Sequence, residues 1–193
     1  MISRRCFCAA LGAAVFVHPS LVRATEEPSL LAEARAALDR HAGLRPRQDV
    51  IGIIDFAQSS QIPRFHIVDL VSGKSTALLV AHGRGSDPAH SGWLQRFSNT
   101  INSEATSQGS YLTGDIYEGE HGPSRRLLGL DTSNSNAKAR GIVIHAADYV
   151  SADIARDTGK IGRSEGCLAV SSSDIHTVLH RLGPNCLIYA GKA

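Results

Sequence analysis

Apolar positions recur at helical spacing early in the chain and at strand spacing beyond it. From Ser29 to His41, Leu30, Leu31, Ala34, Ala37 and Leu38 fall on one face and the charged residues on the other, which predicts an amphipathic helix ended by Gly43 and Pro46. The period then shortens. Val50 to Phe56 is a continuous apolar, β-branched run. Arg64–Leu70 and Thr76–Ala81 flank the turn Ser72-Gly73-Lys74 and read as a hairpin. Polar, turn-rich sequence follows from His82 to Gly109, and residues 86–110 are expected to form a long loop or flap. Strands are expected to resume at Tyr111–Tyr117, Arg126–Leu130 and Gly141–Ala146. Ser171, Ser172 and Ser173 offer N-caps for a helix through Ile175, Val178, Leu179 and Leu182, stopped by Gly183-Pro184. Asn185–Ala190 reads as a last buried strand. The pattern predicts a mainly β (α+β) chain with a helix near each end and no internal repeat.

Composition keeps this picture within ordinary globular limits. The 193 residues are 42% hydrophobic and 20% charged, enough for one domain with a core and a leader. The net charge of +2 includes Arg4, Arg5 and Arg23, which no acid offsets within the first 24 residues; setting them aside leaves 17 basic against 18 acidic residues. Near-neutrality gives no electrostatic case for a nucleic-acid partner or an anionic membrane.

Residues 1–24 read as a cleavable signal peptide. Arg4 and Arg5 precede an apolar stretch from Cys6 to Val17, Pro19 and Ser20 break it, and Val22-Arg23-Ala24 offers a cleavage site. The stretch is shorter than the roughly 20 residues a membrane-spanning helix needs. Ser3-Arg4-Arg5-Cys6-Phe7 also resembles a twin-arginine signal. The expectation is an exported, periplasmic protein without stable membrane insertion after cleavage, and a monomer. Residues 25–46 are expected to form a helical leader and residues 47–193 the functional domain.

The densest chemical signal lies between Gly141 and Val170. His145 ends the apolar strand Ile142-Val143-Ile144, a rigid place from which to present an imidazole. Cys167 follows Gly159, Gly162 and Gly166, which allow sharp turns and close approach to a ligand. A thiol becomes a strong nucleophile on losing its proton, and an imidazole can take it. Backbone N–H groups of a tight turn, at Gly166 and Cys167, could hold the oxyanion formed when sulfur attacks a carbonyl. On spacing alone a lone cysteine and histidine are more often structural than catalytic.

Gly162-Arg163-Ser164-Glu165-Gly166-Cys167-Leu168-Ala169-Val170 and Gly141-Ile142-Val143-Ile144-His145-Ala146-Ala147-Asp148-Tyr149-Val150 together resemble the YkuD-like L,D-transpeptidase catalytic domain, and most closely its murein L,D-transpeptidase branch. Ala81-His82-Gly83, Phe97-Ser98-Asn99, Thr113-Gly114 and His121-Gly122 match that branch in the same order. The resemblance implies a β-sandwich or barrel catalytic domain with a few short helices, acting on peptidoglycan stem peptides through a Cys167 acyl-enzyme with His145 as base. Ser164 joins the catalytic set as a turn residue bonded to the backbone or the His145 region. Arg163, His121 and Tyr149 are the candidate substrate contacts. No cofactor and no metal are implied. Water in place of an amine acceptor would make the same chemistry an L,D-carboxypeptidase. A relative that kept the fold and lost turnover would be a peptidoglycan-binding protein.

Three positions depart from the branch. Glu165 stands where a second histidine is usual and brings an anion near the thiol, the wrong direction for ionising it; Arg163 is expected to offset it. Ala146 replaces a glycine and is expected to narrow the oxyanion pocket. Leu168 replaces a proline. Other readings compete at single residues. Cys167 and Cys186 could form a disulfide. Gly162-Arg163-Ser164-Glu165-Gly166 also fits a serine elbow, although its flanks suit neither a strand before nor a helix after. His176 and His180 have the spacing of zinc ligands but lack an evident third partner. Trp93 and Phe97 could anchor the long loop or cover a ligand.

Overall fold

The computed structural model describes residues 28–193; the signal-peptide reading of residues 1–24 lies outside them. Three α-helices, α1 (Leu31–Arg40), α2 (Ala152–Thr158) and α3 (Ile175–Arg181), accompany eight strands: β1 (Val50–Asp55), β2 (Phe65–Asp69), β3 (Ser75–Leu78), β4 (Gly109–Gly119), β5 (Gly122–Gly129), β6 (Val143–Ala146), β7 (Leu168–Val170) and β8 (Leu187–Gly191). The strands form one mixed sheet in the order β3-β2-β1-β8-β4-β5-β6-β7. β1 pairs with β8 in parallel, as does β6 with β7; the other neighbours are antiparallel.

β1 is buried along its whole length because it lies inside the sheet with both faces covered, which is why it reads as an unbroken apolar run. After β3 the chain crosses to the opposite edge. The Ala81 N–H donates to Ala169 O (2.9 Å) and Gly83 bridges Ser164, so the two ends of the sheet are drawn together into a barrel-like closure. The main core fills one face, with Phe56, Phe65, Tyr111, Ile144 and Leu168 packed against Ile175, Val178 and Leu179 of α3. On the other face α1 lays Leu31, Ala34, Ala37 and Leu38 over Ile51, Ile53, Val68 and Leu187. A third cluster joins Ala155 of α2 to Ala81, Ala147, Val150, Ile161 and Ala169.

The helix expected from Ser29 to His41, the β2–β3 hairpin, the three middle strands, the helix after Ser173 and the last strand all form within a few residues of their predicted bounds. Two elements were not anticipated. β7 has only three residues, too few to show a period. α2 has one buried residue, Ala155, so its signature is in its ends: Ser151 Oγ accepts from the Ile154 N–H, and Gly159 closes it in a left-handed conformation. Between β3 and β4 only a short 3-10 turn (Arg84–Ser86) interrupts the irregular chain, as the polar sequence implied. Phe97 anchors that stretch, its ring 5.9 Å from Phe56, while Trp93 remains half exposed.

Candidate active site

The parallel pairing of β6 and β7 sets the segments that carry His145 and Cys167 side by side. His145 is level with Ala169 and Ile144 with Leu168, which puts Cys167, one residue before β7, level with Val143. Cys167 itself lies in the bend that leads into β7, so the thiol and the imidazole come from paired, neighbouring segments of the sheet. Ile144, Ala146, Leu168 and Val170 point into the main core. Ala146, expected to narrow the oxyanion pocket, packs its methyl group against the main core. Leu168 is fully buried there.

The His145 ring is 3% exposed. Its Nδ1 lies 2.8 Å from Ala146 O. A carbonyl can only accept, so Nδ1 carries the proton and Nε2 keeps the lone pair a base needs. Burial lowers the His145 pKa, the bond to Ala146 opposes the shift, and the neighbouring His121 adds to it. The Cys167 thiol, half buried, donates to Gly141 O at 3.6 Å, and no hydrogen bond joins it to the imidazole. Burial pushes its pKa up, the Val143 N–H and the Arg140 guanidinium pull it down, and Glu165 raises it again. Both groups thus rest uncharged, a protonated thiol and a neutral imidazole. Both Cys167 and Cys186 are free.

Ser164 braces the turn that presents the sulfur. Its hydroxyl donates to Cys167 O (2.7 Å) and accepts from the Gly166 N–H (3.1 Å). The expected oxyanion pair is thereby reduced: the Gly166 N–H is spent on Ser164, whereas the Cys167 N–H has no backbone partner among the described residues. Gly166 has φ +116°, and a Cβ there would sit 2.8 Å from Ala105 O, so the turn is closed to other residues. Thr106 Oγ1, which accepts from the Gly83 N–H, also faces Gly166 O.

A cleft of about 430 Å³ opens beside the sulfur, lined by Asn102, Glu104, Arg140, Gly141, Glu165 and Cys167. The Glu165 carboxylate is met by Arg84, at 3.0 Å, and not by Arg163 as expected. Arg84 also pairs with Glu104. Arg163 turns away and gives its Nη1 to the carbonyls of Asp87 and Pro88. Tyr149 lies near the thiol; its ring rests where a Cβ of residue 162 would stand, so Gly162 makes room for it, and burial and the nearby thiol and Glu165 push its hydroxyl up to about 12. His121, at the two-residue tip of the β4–β5 hairpin, stacks on His145. A larger hollow of about 770 Å³ between α2 and residues 77–79 touches neither the thiol nor the imidazole.

Two charged residues of the candidate site carried no sequence signal. Arg140, fixed by bonds to Ser98 O, Ser107 Oγ and Ala105 O, sets a cation beside the sulfur, and Arg84 neutralises Glu165. The Gly141 turn that follows Arg140 was the available hint. His176 and His180 are both exposed on α3. No cluster of three or more His, Cys, Asp or Glu that could hold a metal occurs among the described residues.

A mixed, nearly closed sheet thus carries a reduced thiol and a buried imidazole on neighbouring parallel segments, a candidate site for cysteine chemistry. The chain matches the family model of the L,D-transpeptidase catalytic domain over residues 23–190, and it belongs to that family. A search of curated proteins finds no significant match. Among solved structures it is similar to an L,D-transpeptidase from Mycobacterium tuberculosis H37Rv, with 14% identity, 75% of this chain and 58% of that chain covered, and a TM-score of 0.47. It is also similar to the helical cell shape determining protein Pgp2 from Campylobacter jejuni (14% identity, 74% and 47% covered, TM-score 0.45). A third is an L,D-transpeptidase from Xylanimonas cellulosilytica (16% identity, 82% and 69% covered, TM-score 0.43). The chain thus spans under two thirds of the first two.

Proposed function

We propose that the protein is a peptidoglycan L,D-transpeptidase acting outside the cytoplasm, with Cys167 as nucleophile and His145 as general base. The observation that supports this reading is the pairing of β6, which carries His145, with β7, which Cys167 directly precedes, together with the open cleft that the thiol lines. As a stem peptide enters, the sulfur leaves Gly141 O and gives its proton to His145 Nε2. The sulfur attacks the carbonyl carbon before the terminal D-alanine, and the Cys167 N–H receives the negative oxygen. Collapse expels D-alanine, whose amine takes the proton from His145, and leaves a thioester on Cys167. An amine of a second stem then attacks the thioester, His145 accepts its proton, and the thiolate leaves as the new amide forms. Water in the acceptor's place gives the carboxypeptidase outcome. The signal-like segment of residues 1–24 supports an exported, periplasmic site of action, and the near-neutral remainder fits a neutral-to-zwitterionic peptide better than a polyanion.

The test is intact-mass spectrometry of the signal-free protein with a tetrapeptide stem and, separately, with a carbapenem, whose strained lactam is a reactive acyl donor. An adduct on Cys167, absent in Cys167→Ala and slowed at least 100-fold in His145→Gln, is the expected result, the size being that of a lost general base. No adduct from either compound on a folded protein with a titratable thiol would reject acyl transfer in favour of the non-catalytic reading.

A further inference from the structure

The tip of the β4–β5 hairpin does something the acyl-transfer scheme does not require. His121 is exposed, and no hydrogen bond or ion pair holds its ring among the described residues. Yet it lies face to face with His145, centroids 4.4 Å apart and planes 24° from parallel. One side of the base is therefore roofed by a second imidazole that is itself open to water. In this geometry His121 cannot reach the in-plane lone pair of His145, so it is no proton relay. It acts through its π face and its charge.

We propose that His121 is a positioning residue that arms and disarms His145: neutral, it caps the base; protonated, it withdraws support from the imidazolium that His145 must become. The inference rests on the acyl-transfer reading. When His145 takes the thiol proton, a neutral ring stacked on it offers its electron-rich face to the new cation. A charged ring at the same place repels that cation, and the buried position of His145 leaves little water to screen the repulsion.

The other titratable and charged groups around the two rings are engaged elsewhere or lie on neighbouring segments. Cys167 precedes β7, the strand paired with β6. Arg126 of β5 lies over the Tyr117 ring at 4.2 Å. Asp148, after β6, accepts from Ser172 Oγ, and Tyr149 packs on Gly162. Glu118 and Glu120 belong to the hairpin itself. None of these bonds either imidazole, and His145's partner is the Ala146 carbonyl.

The test reads the base and the thiol separately, as functions of pH, in the wild type, His121→Phe and His121→Ala. His145 is followed by NMR of its ring protons, and Cys167 by its alkylation rate with iodoacetamide, each normalised to its own plateau. The wild-type alkylation rate is expected to fall on the acid side with two-proton steepness. His121→Phe keeps a flat cap without a titrating charge; its rate should fall with one-proton steepness, and His145 should titrate at higher pH. His121→Ala should share the shallower slope and expose the His145 ring to faster proton exchange with solvent. Identical His145 titrations and identical acid slopes in all three proteins would overturn the proposal. A protein that resists acylation by stem peptide and carbapenem while His145 still responds to His121 would sink the functional reading and leave the coupling intact.

Discussion

The sulfur of Cys167 sits between opposed influences, and each can be removed singly. Glu165 is exposed and shared with Arg84, so Glu165→Gln should lower the thiol pKa without disturbing the fold. The check is the pH dependence of iodoacetamide alkylation, whose midpoint should move down. Arg140→Gln should move it up, because the guanidinium favours the thiolate. That variant also takes from the Ala105 carbonyl its guanidinium donor, at about 1–3 kcal/mol, so its thermal midpoint should fall as well. His145 and Cys167 were legible in the sequence because a strand end and a glycine turn frame them. Arg140 and Arg84 were not: their roles exist only once residues 98–107 fold back against the cysteine turn, a contact between segments tens of residues apart.

The turn from Arg163 to Cys167 behaves as a small rigid element. Ser164 ties its ends, Arg163 ties it to the loop at Asp87, and the Ser164 N–H and carbonyl pair with His82 and Arg84 as a strand would. Ser164→Ala should cost about 1–3 kcal/mol in urea unfolding and slow acylation, since it frees the Cys167 carbonyl and the Gly166 N–H together. Helix α1 is fixed by packing instead. Leu38→Ala should cost about 2–4 kcal/mol by the same assay and leave alkylation of Cys167 unchanged. The long periodic elements were readable because repeated burial on one face leaves a repeated pattern. β7 and α2 escaped because three strand residues, or a helix with a single buried side chain, contain too few repeats. The same limit hid the closure of the sheet, which depends on Ala81 meeting Ala169.

Across the whole molecule the buried polar network of Arg64, His82 and Asp87 links stability to pH. Arg64, fully buried, donates to Val80 O, Gln58 O and His82 Nδ1, and burial lowers it to about 9. His82 is held neutral, its pKa lowered from 6.5 to about 4 by burial and by Arg64. A histidine lowered on folding binds fewer protons folded than unfolded between those two values. Its contribution is complete above pH 6.5 and is lost as pH falls toward 4, on the order of 3 kcal/mol in all. Asp87, lowered despite its burial by bonds from Ser91 and Gly92, adds a further loss below the ordinary carboxylate range. Thermal midpoints measured from pH 7 to pH 4 should fall steadily, and His82→Phe should flatten that decline. The sheet order has a different consequence. β8, built from Leu187–Gly191, lies between β1 and β4 and is the seam that joins the first three strands to the remaining four. Without Leu187–Gly191 the inner edges of β1 and β4 would be raw, with only the Ala81–Ala169 and Gly83–Ser164 contacts to hold the halves, so the strands synthesised earlier must wait for β8 before the sheet can knit together.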